Sequence, residues 1–145
     1  VAADRTASTV WEGGLADGKG STTFESSNIG TFDVSWPSRT EEPNGRTSPE
    51  ELVAAAHASC YSMALAGDIG RAGGTPQLLE TSATVTFDKT DGGWTVTRVA
   101  LKVRGTVEGM DASAFAKVAQ AAKDGCPVSK LIAGNTELTL DAALA

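Results

Sequence analysis

Thiol, imidazole and phenol groups are all scarce in this chain, which has two cysteines, one histidine and one tyrosine among its 145 residues. Any thiol chemistry must therefore use Cys60 and Cys126. The lone His57 leaves at most three Cys/His ligands for a metal. Clustered positive charge is also missing. Twelve Lys and Arg face eighteen Asp and Glu, for a net charge of −6, and no basic patch is available to neutralise phosphates. A nucleic-acid partner is not expected, and the diffuse acidity reads as solubility. Long apolar runs are absent too. The longest, Leu52 to Ala66, is broken by His57, Ser59, Tyr61 and Ser62, so no membrane partner or span is expected. Residues 1–10 lack the basic start and apolar core of a signal peptide. Cytoplasmic location is the resulting expectation, and there a cysteine pair is more often catalytic or redox-active than structural. In a processed secreted form, a structural bridge would gain weight.

The chain that remains is 41% hydrophobic and of a size that can bury a core without a disulfide. It has no repeat, no low-complexity tract and no evident linker, which points to a single domain over residues 1–145. Strands are expected at 7–12, about 19–27 and 29–36, the first two joined through Asp17-Gly18. From Pro37 to Ser48 the composition turns to Pro, Gly, Asn and charge, the signature of a loop. Ser48 then offers an N-cap, Pro49 suits the first helical position, and Glu51 completes a capping box. That helix runs to about Ala72 and stops at Gly73-Gly74. Its small residues suit a helix buried on every side. Alternating stretches at 79–89 and 93–105 flank the hairpin signal Asp91-Gly92-Gly93. Asp111 caps a helix to about Asp124 with Phe115, Val118 and Ala122 on one face. Pro127 starts a short helix to Ile132, and 136–141 alternates as a last strand. The order βββα ββ αα β is an α+β pattern.

The cysteines occupy unlike settings. Cys126, in Gly125-Cys126-Pro127, stands at the N-cap of the helix begun by Pro127, where free amides favour a thiolate; the bland alternative is a small residue capping a turn. Cys60 lies mid-helix, where burial raises a thiol's pKa, so it is either a packed core thiol or a nucleophile activated from elsewhere. His57, three residues before it on the same helix face, is a base or donor for that thiol, or a core histidine bonded to backbone. His57, Cys60 and Cys126 also make a weak pattern for a zinc site with water as fourth ligand. Glu51 has a capping role, whereas Glu50 is free to meet a cation such as Arg39 or Arg46, or to remain solvated at the helix N-terminus. Glu50 and Cys60 are ten residues apart, roughly 15 Å along a continuous helix, too far to touch. Two such helices packed antiparallel about a two-fold axis would place Glu50 of one near Cys60 of the other, which suggests a dimer with shared sites.

At Ser48-Pro49-Glu50-Glu51-Leu52-Val53-Ala54-Ala55-Ala56-His57-Ala58-Ser59-Cys60-Tyr61-Ser62-Met63-Ala64-Leu65 and Gly125-Cys126-Pro127-Val128-Ser129-Lys130 the chain resembles the osmotically inducible protein C (OsmC) and organic hydroperoxide resistance (Ohr) family of thiol peroxidases. Trp11-Glu12-Gly13 and Gly18-Lys19-Gly20 extend the resemblance over essentially the whole chain, and Met63-Ala64-Leu65 with Cys126-Pro127-Val128-Ser129 looks closer to the osmotically inducible branch.

The resemblance implies an OsmC-like fold: an intertwined homodimer with a long buried central helix. It implies Cys60 as the peroxidatic thiol and Cys126 as the resolving one, with Glu50 orienting an arginine that holds Cys60 ionised. Arg39 is the choice for that arginine, with Arg46 as alternative. It implies no cofactor, an organic hydroperoxide substrate, and an external dithiol or lipoyl-type reductant. Phe32, Trp36 and Met63 are the apolar residues expected near the pocket. The physical reading and the resemblance pull apart at one point, since the helix cap makes Cys126 the more acidic thiol while the resemblance assigns attack to Cys60. Two rivals stand beside this reading: a non-catalytic binding module with a structural disulfide, and a zinc-dependent hydrolase using His57 and the two thiols.

Overall fold

A computed structural model describes all residues from 1 to 145. The chain forms two compact units, Val1–Leu52 and Val53–Ala145. No helix is long and apolar enough to cross a membrane.

The first unit holds an antiparallel sheet in the order β1 (Ala7–Glu12), β2 (Lys19–Phe24), β3 (Thr31–Val34). Trp11 lies opposite Gly20 in the β1–β2 register. A Cβ on Gly20 would stand 2.7 Å from the indole, so the missing side chain is what lets the ring lie across β2. β3 ends earlier than the sequence suggests because Ser35 caps a one-turn helix, α1 (Trp36–Thr40), inside the stretch expected to be loop. Ser35 Oγ accepts from the Ser38 amide while Ser38 Oγ accepts from the Ser35 amide, a reciprocal box with Pro37 in the first turn. The observed order is therefore βββα αββαα β, one short helix more than the sequence pattern indicates.

α2 (Pro49–Arg71) begins as the sequence indicates, with Ser48 Oγ accepting from the Glu51 amide at 3.1 Å. Glu51 does not close the box, since its carboxylate accepts from Thr47 Oγ1 at 2.7 Å. The helix ends in a Schellman turn. The Gly74 amide donates to Ile69 and that of Gly73 to Gly70, and Gly73 sits at φ +92°, a conformation that favours glycine.

In the second unit, α2 buries His57, Tyr61, Leu65 and Ile69 at four-residue spacing. The all-round burial expected of α2 is not reached within one chain: Met63 is 71% exposed and Val53 is also exposed, because the core lies against a single stripe. That core joins Tyr61, Leu65 and Ile69 to Leu101 and Val103 of β5 (Gly93–Glu108), Phe115, Ala119 and Ala122 of α3 (Ala112–Gly125), and Cys126. Each large apolar side chain so enclosed stabilises the fold by about 1.5–3 kcal/mol. β4 (Thr75–Thr90) and β5 (Gly93–Glu108) form a long hairpin, and β6 (Glu137–Leu144) pairs parallel to β5. Between β5 and β6 run α3 (Ala112–Gly125), capped by Asp111, and α4 (Pro127–Ile132). Ala119 rather than Val118 takes the fully buried position on α3, with Val118 at the edge of the core.

Candidate active site

The sequence-predicted site residues come together as two pairs, one in each unit. In the second, Cys60 on α2 and Cys126 at the α3–α4 junction face each other with sulfurs 3.2 Å apart, both reduced. Two helix ends meet at Cys126. Its amide donates to Ala122 at 2.9 Å and closes α3, while its carbonyl accepts from the Lys130 amide at 3.0 Å and opens α4. Pro127 follows without an amide hydrogen, at a position where none is needed. The backbone at Cys126 is extended, φ −60° and ψ 127°. A disulfide needs the sulfurs about 2.05 Å apart, so closure from here takes a movement of about 1 Å.

The two thiols differ in acidity. Burial pushes the Cys126 thiol up, but the Ser129 amide, the Cys60 thiol, the Ser129 hydroxyl and the Val128 amide together outweigh it and leave its pKa below the ordinary value. The sulfur makes no side-chain capping hydrogen bond at the start of α4. Burial likewise raises Cys60, where the Val128 amide offsets only part of the effect, and the bond to Cys126 and the charge of its thiolate raise it further. With both thiols protonated Cys126 donates to Cys60; once Cys126 ionises, the hydrogen in the contact is that of Cys60. Access runs the other way, since Cys60 is half-buried and Cys126 fully enclosed. Within one chain no cation is shown lowering the Cys60 pKa.

His57 is fully buried, and its Nε2 meets Ser129 Oγ at 2.8 Å. The backbone bond expected of a core histidine is replaced by this side-chain bond, and Nδ1 has no partner. Burial lowers the His57 pKa, so the ring is neutral near pH 7. No group of three or more His, Cys, Asp and Glu side chains is arranged to hold a metal ion. Ser129 is the residue sequence reasoning missed. Its only local sign was its place three residues after Cys126, which gave no hint of a partner 72 residues away.

In the first unit, Arg39 in the last turn of α1 grips Glu50 with two bonds, Nε to Oε1 at 2.8 Å and Nη2 to Oε2 at 2.9 Å. This fork fixes the plane of the guanidinium as well as its position. The Trp36 ring lies beneath, 5.7 Å from Arg39 Cζ. Arg46 sits elsewhere, in a polar surface depression with Asp33 and Lys19. A cavity of about 440 Å³ adjoins Arg39, with walls that include Trp11, Leu15, Val34, Trp36 and Leu52. Of the expected apolar residues only Trp36 lines it. Phe32 packs edge-on against Phe24, and Met63 belongs to the second unit.

Comparison with known proteins agrees with this architecture. The family model described as OsmC-like protein matches residues 42–141. The chain is 45% identical over 131 residues to Peroxiredoxin OsmC of Escherichia coli (strain K12), covering 90% of each. It is 32% identical over 124 residues to Organic hydroperoxide resistance protein OhrA of Bacillus subtilis (strain 168), covering 83% of this chain and 85% of that one. The crystal structure of the organic hydroperoxide resistance protein OhrB of Bacillus subtilis superposes with a TM-score of 0.75 at 28% identity, over 94% of this chain and 97% of the other. With a family match spanning most of the sequence and relatives matched along nearly their whole length, this chain belongs to the OsmC/Ohr family.

Proposed function

We propose that the protein is a cysteine peroxidase that detoxifies hydroperoxides, organic ones above all, through Cys60 and Cys126. The observation that carries this reading is the reduced sulfur pair 3.2 Å apart, with one thiol open to approach and the other enclosed. The relatives named peroxiredoxin and organic hydroperoxide resistance protein support peroxide chemistry. The Cys60 thiolate attacks the outer oxygen of the hydroperoxide. An S–O bond forms, the O–O bond breaks, and the leaving alkoxide takes a proton to become an alcohol. Sulfur loses two electrons to the peroxide and stands as a sulfenic acid. Cys126 then displaces its hydroxyl as water, leaving a Cys60–Cys126 disulfide that an external dithiol, a lipoyl-type compound being the favoured class, reduces by exchange. No bound cofactor enters.

Cys126 is the more acidic thiol, yet attack falls to Cys60 because Cys126 is sealed from a peroxide. Cys60 therefore needs a cation to ionise near neutral pH. Arg39, oriented by Glu50, supplies it in a homodimer in which the Arg39–Glu50 pair of one protomer serves Cys60 of the partner subunit. The ten-residue helical spacing of Glu50 and Cys60 and the exposed apolar side of α2 support that arrangement. The apolar cavity beside Arg39 suits the alkyl group of an organic hydroperoxide.

Addition of one equivalent of tert-butyl hydroperoxide is expected to consume both thiols of each protomer, with peptide mapping locating a Cys60–Cys126 bond. Cys60→Ser is expected to abolish consumption, and peroxide reduction by that variant would overturn the assignment. A monomer with full activity in sedimentation and assay would overturn the shared site.

A further inference from the structure

His57 and Ser129 take no part in the chemistry assigned above, yet they form an enclosed contact between two polar side chains, at 0% and 2% exposure. Their bond repeats the layout of the thiols. His57 precedes Cys60 by three residues on α2, and Ser129 follows Cys126 by three on α4. The sulfur contact and the hydrogen bond are thus two rungs, one helical turn apart, between the same two segments running in opposite directions. A shift of α4 that opened one rung would pull on the other.

The proton positions follow from what is left unpaired. Nδ1 is buried without a partner. A bare buried acceptor is tolerated more readily than an orphaned N–H, which places the ring proton on Nε2, donated to Ser129 Oγ. The Ser129 hydroxyl hydrogen is then left free of the imidazole, at a position three residues after the Cys126 helix cap. A Ser–His contact also calls to mind the nucleophile and base of a hydrolase. Here both groups are closed to solvent and Nδ1 lacks an orienting acceptor, so that use is excluded.

We propose that His57 and Ser129 are positioning residues for disulfide formation, their buried bond holding the α4 turn so that Cys126 Sγ stays beside Cys60 Sγ. This rests on the roles given to the thiols above. In the step they serve, the Cys126 thiolate attacks the sulfur of the Cys60 sulfenic acid. The S–S bond forms, the S–O bond breaks, and the departing hydroxide takes a solvent proton to leave as water. His57 and Ser129 keep their own protons throughout.

The test is a single turnover of the full chain with tert-butyl hydroperoxide, following peroxide loss and, by dimedone trapping with mass spectrometry, the lifetime of the Cys60 sulfenic acid. Ser129→Ala is expected to consume the first equivalent at the native rate while disulfide closure slows about tenfold, the scale of leaving one buried polar partner unpaired. Ser129→Thr, which keeps the hydroxyl, is expected to restore closure, and His57→Phe to repeat the Ser129→Ala defect should that variant fold poorly. Native closure in both Ser129→Ala and His57→Phe, or equal slowing of both steps, would overturn the role. If the native protein leaves the peroxide unconsumed, the reading of the thiols falls and takes this role with it. If the native protein closes its disulfide and the variants match it, this role alone falls.

Discussion

Two polar pairs, one in each unit, are built on opposite principles. Arg39 and Glu50 are charged, eleven residues apart in sequence, and keep some contact with water, at 30% and 10% side-chain exposure. His57 and Ser129 are neutral, 72 residues apart and sealed. The contrast follows from desolvation. A guanidinium and a carboxylate lose more hydration on full burial than their attraction returns, so a pair meant to exert charge on a third group is best left partly wet. A neutral hydrogen bond loses little in a dry interior and is stiffer there, which suits it to fixing geometry. One pair can bias an ionisation, and the other can hold a distance.

The largest expected effect separates these jobs. If Arg39 serves Cys60 as proposed, Arg39→Met should slow the first step, attack on peroxide, by roughly a hundredfold, since the planar fork on Glu50 would aim the charge. Disulfide closure, once the sulfenic acid exists, should keep its native rate. This is the mirror image of the Ser129→Ala expectation, and rapid-mixing measurements of the two steps in both variants decide it. Arg39→Lys should fall between, keeping the charge but losing the bidentate geometry. A variant of either pair that slows both steps alike would break the comparison.

A smaller effect distinguishes the pairs by pH. Burial holds the pKa of His57 below its ordinary value of 6.5. The unfolded chain therefore binds a proton there more readily than the folded one, and stability is fully present above pH 6.5 and declines as pH falls below it. His57 is the only histidine, and histidine is the side chain whose ordinary pKa lies in this window. Denaturant unfolding at pH 7.0 and 5.5 should show a loss of stability at the lower pH in the native protein and a flatter response in His57→Gln. An unchanged slope in His57→Gln would show that the buried imidazole is not the group responsible.

These pairs also mark where sequence reasoning runs out. Features written in a few adjacent residues were legible: Ser48-Pro49 starting α2, Gly73-Gly74 ending it, Asp111 capping α3, and Cys126 at a junction of two helices. Arg39 was within reach because its loop directly precedes Glu50. The five-residue α1 was not, because one turn carries no periodicity and its signal lay only in Ser35, Pro37 and Ser38. Trp11 and Leu15 were missed as cavity walls for a different reason. A side chain's exposure in one unit depends on the register of its sheet, here on Trp11 facing Gly20, which is settled by packing. The His57–Ser129 bond is the extreme case, since its two ends share no local pattern and meet only when α2 and α4 are brought together.

The smallest expected effect tests whether any buried bond near the sulfurs would serve as well. Tyr61 follows Cys60 directly, is fully buried, and donates its hydroxyl to the Ala119 carbonyl on α3 at 3.0 Å. Burial raises its pKa, so it stays a neutral donor. Tyr61→Phe removes that bond but leaves the carbonyl its partner within α3, so the loss should be about 1 kcal/mol, a fall of a few degrees in melting temperature. The bond ties α2 to α3, upstream of the Cys126 junction, and leaves α4 untouched. Disulfide closure in Tyr61→Phe should therefore keep the native rate despite the lower stability. Slowing equal to that of Ser129→Ala would mean that closure responds to the rigidity of the core in general, and the distinction between a pair that exerts charge and a pair that holds a distance would lose its second half.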